Sequence, residues 1–243
     1  MPLGYGSRRN LVGAGLLAAL GVLCLLLARW QWQRAGESRA AAAQFAAGAA
    51  QAVLTDPPRD GEGVRYQRLK VHGAYVPARQ FLLDNIVEGG QAGYEVLTPF
   101  RTSDGGRWLL VNRGWLPAAP DRRVLPDVRI DDGERDLVGR IDRLPRAGLK
   151  LGGDGSETNK ADAVAVLSYP TAEELSERLG RAVYPYQLLL AATEPGGFTR
   201  DWRAAGLGPE RHLAYAGQWL LFACGAVAGA IAIVWRGLRS RSA

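Results

Sequence analysis

The sequence predicts an α+β membrane protein in which two transmembrane helices flank one antiparallel β-rich extramembrane domain with a short helix. Residues 11–28 and 213–235 carry no charged side chain. A helix over the second segment would be about 34 Å long and would cross a hydrocarbon core of roughly 30 Å. Between the two segments, short runs of aromatic and β-branched residues alternate with glycine-rich turns, which is the pattern of β-strands.

The first apolar segment has two interpretations. It follows Arg8 and Arg9 and precedes Trp30, and alanines from residue 40 onward offer sites for a signal peptidase. An uncleaved span is favoured because the apolar core exceeds the usual length of about 7–15 residues in signal peptides. Helix-forming alanines also continue beyond the span, until Pro57 and Pro58 end the helix.

We therefore divide the chain into six parts. They are a cytoplasmic N-terminus (1–10), a first transmembrane helix (11–30), a helical stalk (31–58), a periplasmic β-rich domain (59–208), a second transmembrane helix (212–235) and a basic cytoplasmic tail (236–243). The orientation follows from Arg236, Arg239 and Arg241, because basic residues beside a span favour the cytoplasm. The charges around the first span are equivocal, and two spans place both termini on the same side.

Seven strands and one helix are expected in the domain. Apolar patterns indicate strands at 64–75, 80–86, 94–100, 108–115, 137–144, 164–169 and 183–192. Thr171 and Glu174 have the spacing of a capping box and Gly180 is a stop signal, so one short helix is expected before the last strand. A glycine-rich loop is expected at 152–155.

The net charge of +6 does not point to a nucleic-acid partner. Residues 36–208 contain 22 Lys and Arg against 23 Asp and Glu, so the middle of the chain is nearly neutral. The excess arginines flank the apolar segments, where they orient spans in a lipid bilayer. We therefore expect contact with the bilayer and none with nucleic acid.

Small side chains on both apolar segments predict that the two spans pack together. Gly225 and Gly229 form a GxxxG pattern in the second span, and Ala14, Ala18 and Gly21 have helical spacing in the first. Small residues allow helices to approach closely in lipid.

The sequence lacks the usual parts of a catalytic site, and we expect no enzyme activity. Histidine occurs only at positions 72 and 212, and the two cysteines, Cys24 and Cys224, lie in the apolar segments. Neither a catalytic triad nor a phosphate loop can be assembled from these residues. His72 is interpreted as a surface or structural residue, and the acidic stretch at 131–134 as a solvated turn.

Two stretches need a further explanation. Asn112 and Arg113 lie in an apolar strand, where each must be hydrogen-bonded inside the domain or must face a partner. His212 opens the second span, with Tyr215 and Trp219 on the same helical face. These three side chains form either an aromatic belt at the headgroup level or a haem-iron ligand with aromatic neighbours, and their spacing leaves both open.

Five motifs, in this order, resemble the signatures of the Surfeit locus protein 1 family, also called the Shy-one family. They are RWQWQR at 29–34, GYEVLTPF at 93–100, LVNRGW at 110–115, GFTRDW at 197–202 and RHLAYAGQW at 211–219. The resemblance covers nearly the full length, although residues 163–167 depart from many relatives, which carry Trp and Asp in that region. Six residues of these motifs are expected to serve interaction or structure: Trp30, Arg34, Asn112, Arg113, Gly114 and Trp115.

The resemblance implies an assembly factor for haem–copper cytochrome c oxidase that binds haem a and assists its insertion into subunit I. Subunit I is then the expected partner, and haem a synthase a second one. His212 matches the proposed iron ligand of the family and Trp219 the tryptophan beside it, and Tyr215 is expected to contact the macrocycle. The alternative is a scaffold that stabilises an oxidase assembly intermediate and binds no haem. A short segment before the first span and the preference for Arg over Lys favour a bacterial inner membrane.

Overall fold

The computed structural model describes residues 5–146, 163–204, 206 and 208–239, and these form two compact units. The first unit contains most of helix α1 (Tyr5–Ala50) and all of helix α3 (Pro209–Arg239). The second unit, Gln44–Arg203, contains the end of α1, the β-strands and helix α2 (Ala172–Leu179). The predicted glycine-rich loop at 152–155 lies outside the described residues.

Helix α1 continues from the first apolar segment into the alanine-rich stretch without a break. Its sequence is rich in alanine and leucine and contains no proline, so the backbone hydrogen bonds run on to Ala50. Helix α3 begins at Pro209, whose fixed φ suits a first helical turn, and it has Arg236 and Arg239 in its last turn. Both helices are long and apolar enough to cross a membrane.

The two long helices pack together through small side chains, as predicted. The buried residues of this contact are Ala14, Cys24 and Ala28 of α1 and Ala216, Ala223 and Ala226 of α3. Gly21 lies in the same stripe, where a Cβ atom would be 3.5 Å from Cγ2 of Val227. The GxxxG pair is confirmed in one half: a Cβ atom at Gly229 would be 3.1 Å from Cδ1 of Leu17 on α1, whereas a Cβ atom at Gly225 would meet no described atom within 4 Å. Ala18 of the first span is exposed and lies outside the contact.

Within the described part of the domain, seven strands form one sheet. They are β1 (Arg68–Tyr75), β2 (Gln80–Glu88), β3 (Gln91–Thr102), β4 (Trp108–Pro117), β5 (Glu134–Arg143), β6 (Val164–Leu167) and β7 (Val183–Leu190). Their order is β1-β5-β7-β4-β3-β2-β6, and β1 also pairs with the end of β3. Strands β1, β5, β7, β4 and β3 therefore close into a barrel, and β2 and β6 extend from β3.

Most strand pairs are antiparallel, as predicted, but two pairs are parallel. β4 pairs with β7 and β2 with β6 in the parallel direction. A parallel pair needs a long connection that returns the chain to the same end of the sheet, and both pairs have one. Side-chain periodicity indicates that a strand exists, but it does not reveal the direction of a distant partner.

Most predicted strands lie within a few residues of the observed ones. β1 begins at Arg68, later than expected, because Tyr66 has a φ of +68°, which is incompatible with a strand. β6 ends at Leu167, earlier than expected, and Tyr169 beyond it has a φ of +56°. Both differences arise at single residues whose backbone conformation the sequence pattern does not predict.

Helix α2 has the predicted start and stop. The backbone N–H of Glu174 donates to Oγ1 of Thr171 at 3.2 Å, and Gly180 ends the helix with a φ of +63°. The second half of the capping box is absent from the described contacts, because the Glu174 carboxylate accepts a hydrogen bond from Nε of Arg178 at 3.2 Å.

The barrel interior contains the main hydrophobic core. All five strands of the closed ring contribute to it, with side chains such as Leu69, Phe100, Leu109, Leu137 and Leu188. Burying side chains of this size stabilises the domain by about 1.5–3 kcal/mol each. A second cluster lies where β2, β6 and helix α2 cover the barrel wall.

Candidate functional site

Arg113 of β4 is enclosed in the domain and is surrounded by oxygen atoms. Its side chain is 2% exposed, and its Nε donates to the carbonyl oxygen of Gly196 at 2.7 Å. Nη1 donates to the carbonyl oxygen of Val128 at 2.7 Å and to Oε1 of Gln80 at 3.1 Å. The guanidinium also lies 4.9 Å from the ring centroid of Phe198, a cation–π contact. Arg113 therefore joins β4 to three other segments of the chain.

Asn112 is fully buried beside it and links three neighbouring strands. Its Nδ2 donates to Oε2 of Glu95 on β3 at 2.7 Å and to Oε1 of Gln187 on β7 at 2.9 Å. Its Oδ1 accepts the backbone N–H of Gly114 at 3.1 Å. Hydrogen bonds inside the domain thus account for the polar groups of this side chain, as a buried amide requires.

Gly114 allows a second chain segment to lie directly against β4. It has a φ of +109°, a conformation that side chains disfavour. The N–H of Trp115 donates to the carbonyl oxygen of Thr199 at 2.8 Å, and the N–H of Phe198 donates to the carbonyl oxygen of Arg113 at 2.7 Å. Residues 112–115 therefore bind the segment that leads out of the domain.

The motifs at 93–100, 110–115 and 197–202 meet at this place. A Cβ atom at Gly93 would be 2.6 Å from the indole ring of Trp115, so the tryptophan needs a glycine opposite it. The three motifs are far apart in the sequence, and their spacing did not predict that they are neighbours. We call the residues around Arg113 and Asn112 the polar cluster.

Gln80 and Thr98 belong to the polar cluster, and neither was predicted from the sequence as a site residue. Oγ1 of Thr98 donates to Oε1 of Gln80 at 2.8 Å, and both side chains are buried. One signal was available. The alternating pattern of β3 places Thr98 on the apolar face of the strand, and a polar residue at such a position needs a buried partner.

Burial shifts the pKa values of the charged side chains in the polar cluster. It lowers the pKa of the Arg113 guanidinium, while nearby Tyr75 opposes that change. It raises the pKa of the Glu95 carboxyl, and the hydrogen bond from Asn112 only partly opposes the rise. The described partners of Arg113 are carbonyl, amide and hydroxyl oxygens, so its positive charge is solvated by dipoles rather than by a carboxylate.

Glu95→Gln is expected to make the protein relatively more stable as pH rises. A carboxyl whose pKa is raised in the folded state stabilises the fold below its unfolded pKa of about 4.3, and this contribution is lost as pH rises through the folded pKa. Glutamine keeps an oxygen for Asn112 and does not titrate. Thermal unfolding in detergent from pH 4 to pH 8 measures the difference, with the exposed Glu177→Gln as control. A pH-independent difference for Glu95→Gln would contradict the assignment.

A second candidate site lies in the first unit, at the start of α3. Nδ1 of His212 is 2.8 Å from Oε1 of Gln31 on α1. An amide oxygen can only accept a hydrogen bond, so Nδ1 is the donor, and the ring tautomer that suits this contact has its lone pair on Nε2. Gln31 is a residue that the sequence analysis did not single out, because 181 positions separate it from His212 and no local pattern connects them.

The aromatic residues predicted beside His212 lie along the same helix. Tyr215 is 49% exposed, and Trp219 is half-buried, with its ring centroid 5.8 Å from that of Phe222. Trp219 has helical spacing from the buried Ala216 and Ala223 of the same helix. Two residues predicted on α1 lie on its exposed side: Trp30 is half-exposed, and Nη1 of Arg34 donates to Glu37 at 2.7 Å.

His212 is the residue of the first unit that could hold a haem iron. Among the described residues, no three His, Cys, Asp or Glu side chains lie close enough to hold a metal ion. A haem iron is held in its macrocycle and takes a neutral imidazole as an axial ligand. The free Nε2 of His212 meets that requirement. His72, the other histidine, is exposed on β1 with Nδ1 2.8 Å from Oδ1 of Asp136.

The fold and the sites together define a class of protein, one that has a β-barrel domain and two helices that can each cross a membrane. The sequence matches the SURF1 family over residues 18–224, which is most of the chain. The chain therefore belongs to the SURF1 family. This result confirms the resemblance seen in the sequence motifs.

Individual relatives share part of the sequence. Surfeit locus protein 1 of Takifugu rubripes is 26% identical over 102 residues, which are 35% of this chain and 41% of that protein. A SURF1-like protein of Monosiga brevicollis is 31% identical over 90 residues, 32% of this chain and 34% of its own. Human Surfeit locus protein 1 is 30% identical over 113 residues, 37% of each chain. Each alignment thus spans about a third to two fifths of the relative's length.

Proposed function

We propose that this protein is an assembly factor for haem–copper cytochrome c oxidase that binds haem a and assists its insertion into subunit I. Membership of the SURF1 family and the two helices able to span a membrane support the general role. The observation that carries the haem part is the hydrogen bond between His212 and Gln31. No catalytic step is assigned to the protein.

The His212–Gln31 contact supports the proposal because it prepares the imidazole as a ligand. Ligating histidines usually donate their other ring N–H to an oxygen acceptor, which fixes the tautomer and the ring orientation and raises ligand basicity. Gln31 supplies that acceptor from the neighbouring helix. Haem a would bring the iron, and His212 would supply Nε2 as one axial ligand.

The aromatic neighbours of His212 would serve the macrocycle. On an α-helix, Tyr215 follows His212 by about one turn and Trp219 by about two turns. Their flat, apolar rings suit contact with a planar, apolar group, and each keeps a polar edge for the headgroup region. We propose Tyr215 and Trp219 as the residues that contact haem a.

The setting of this function would be a bacterial inner membrane. Both termini would lie in the cytoplasm and the β-barrel domain in the periplasm, because Arg236 and Arg239 follow the second span. Haem a synthase would supply the haem, and subunit I of the oxidase would receive it. Exchange between these proteins requires that haem binding be transient.

A scaffold that binds an oxidase assembly intermediate and never carries haem is the second candidate. The observation that favours it is a groove in the β-barrel domain lined by three arginines, which offers a surface for a protein partner. The two candidates differ in one expected result. A scaffold would need the β-barrel domain for oxidase assembly but would not need His212.

The test is the haem content of the full chain, purified in detergent after expression together with haem a biosynthesis. We expect haem a in the native protein and its loss in His212→Ala. Gln31→Leu should weaken binding by about tenfold to a hundredfold, the usual effect of losing such a hydrogen-bonding partner of a ligand. Absorption spectra and haem extraction measure both effects.

Two substitutions provide matched controls. His72→Ala removes the other histidine, which lies in the second unit, and should retain haem. Gln33→Leu changes an exposed glutamine two positions from Gln31 and should also retain it. If native protein and His212→Ala both lack haem a while oxidase subunit I co-purifies with each, the scaffold function replaces the proposal.

A further inference from the structure

The β-barrel domain has a groove at one end of strands β4 and β7. Its volume is about 600 Å³, and its lining includes Arg101 at the end of β3, Arg107 before β4 and Arg181 after helix α2. We call it the arginine groove. Trp108, which starts β4 and is half-buried against the second hydrophobic cluster, forms an apolar wall.

The three arginines of the groove have no acidic partner in the described part of the chain. All three are exposed, and no acidic residue lines the groove. Other exposed arginines of the domain do have partners: Nε of Arg123 lies 3.1 Å from Asp121, and Nη2 of Arg129 lies 2.6 Å from Asp127. A concentration of unpaired guanidinium groups in a concave surface attracts anions.

The chemistry of the groove favours carboxylates on an extended chain. Compact phosphates are often bound by backbone N–H groups, but here three of those groups are already used inside the domain. The N–H of Gly105 donates to Thr102, that of Gly106 to Asp104 and that of Trp108 to Ala182. Recognition is left to guanidinium groups at separate points of the lining, which suits several carboxylates spaced along a peptide.

The groove lies away from the polar cluster. Trp108 begins β4 and pairs with Val183 at the start of β7, whereas Trp115, near the other end of β4, pairs with Thr199. The arginine groove and the segment that leaves the domain are therefore at opposite ends of β4. A ligand in the groove would not compete with the hydrogen bonds that hold residues 196–200.

We infer that the arginine groove binds an acidic segment of a partner protein. Arginine forks bind carboxylates in pairs of hydrogen bonds, and Trp108 would cover apolar atoms of the same segment. The inference rests on the proposed function, since an assembly factor needs contact with its client, and it adds the chemistry of that contact. It holds for the haem-carrying protein and for the scaffold alike.

The test compares two triple variants of the full chain in detergent. Arg101→Gln, Arg107→Gln and Arg181→Gln change the groove. Arg123→Gln, Arg129→Gln and Arg203→Gln remove the same positive charge from exposed arginines that pair with aspartates: Asp121, Asp127 and Asp201. The probe is a fluorescent peptide of alternating Glu and Gly, with a Gln–Gly peptide as the neutral reference.

We expect the Glu–Gly peptide to bind the native chain in a salt-dependent way and the groove variant about tenfold more weakly, with little change for the matched variant. Equal weakening in both variants would show that net charge alone attracts the peptide and would overturn the inference. The inference would also be overturned if the peptide did not bind the native chain. It would be overturned as well if inorganic phosphate or vesicles of anionic phospholipid displaced the peptide and free glutamate peptides did not.

A second readout separates this inference from the proposed function. The groove variant should retain haem a and lower the yield of assembled oxidase in cells, whereas His212→Ala should lose haem a and retain peptide binding. If the native chain carries no haem a but still binds the peptide, the proposed haem role fails and the inference about the groove is supported. Normal oxidase assembly in the groove variant would show that the acidic segment is not needed and would overturn the inference.

Discussion

Gly114→Ala is expected to lower the free energy of unfolding by at least about 3 kcal/mol. The glycine has a φ of +109°, and a Cβ atom would overlap the carbonyl oxygen of Thr199 and lie 2.8 Å from Cγ of Arg200. The Thr199 oxygen is fixed because it accepts the N–H of Trp115 at 2.8 Å. A backbone atom cannot move aside as a flexible side chain can, so residues 196–200 must separate from β4.

Gly90→Ala separates the two causes of this loss. Gly90 has a φ of +82°, but a Cβ atom there would meet no described atom within 4 Å. Its substitution should cost only the conformational strain, about 1 kcal/mol. Denaturant unfolding of the full chain in detergent, followed by tryptophan fluorescence, measures both variants. Equal losses would mean that the close approach of Thr199 contributes nothing.

Arg113→Met is expected to destabilise the domain by about 3–5 kcal/mol. Methionine fills part of the space but donates no hydrogen bond, so the carbonyl oxygens of Gly196 and Val128 lose a donor in a buried place. Oε1 of Gln80 also loses a donor but keeps the hydrogen bond from Thr98. Each unsatisfied buried group costs about 1–3 kcal/mol. Removing the cost of burying the guanidinium charge recovers part of this sum.

Hydrogen exchange shows where the Arg113→Met effect acts. Faster exchange is expected at the N–H groups of Phe198 and Trp115, which join residues 196–200 to β4. Arg123→Met is the matched control, because Arg123 is an exposed arginine whose ion pair in the described structure is with Asp121. The loss of free energy of unfolding on this substitution should stay within about 0.5 kcal/mol. An Arg113→Met variant as stable as the native protein would mean that charge burial cancels the hydrogen bonds.

The sequence was sufficient for features that depend on local pattern. The two long helices follow from apolar length, and the strands follow from side-chain alternation and glycine turns. Helix α2 was predicted with its cap at Thr171 and its end at Gly180, because capping uses neighbouring residues. These elements need no knowledge of the rest of the chain.

Features that depend on distant pairing were not predictable in the same way. The parallel direction of β4 and β7 follows from the path of a long connection, and the periodicity of either strand is compatible with both directions. The partners of Arg113 are mainly backbone carbonyls, which every residue has and no pattern marks. Gln31 similarly gains a role only because α3 brings His212 beside it.

The closed ring of strands also fixes when the domain can be completed during synthesis. β7 lies between β4 and β5, so the ring stays open until Leu190 has left the ribosome. Before that point both neighbours of β7 have an unpaired edge, and such edges promote aggregation. Barrel closure is therefore a late folding event. Chains that end before β7 are expected not to fold into a stable domain at all.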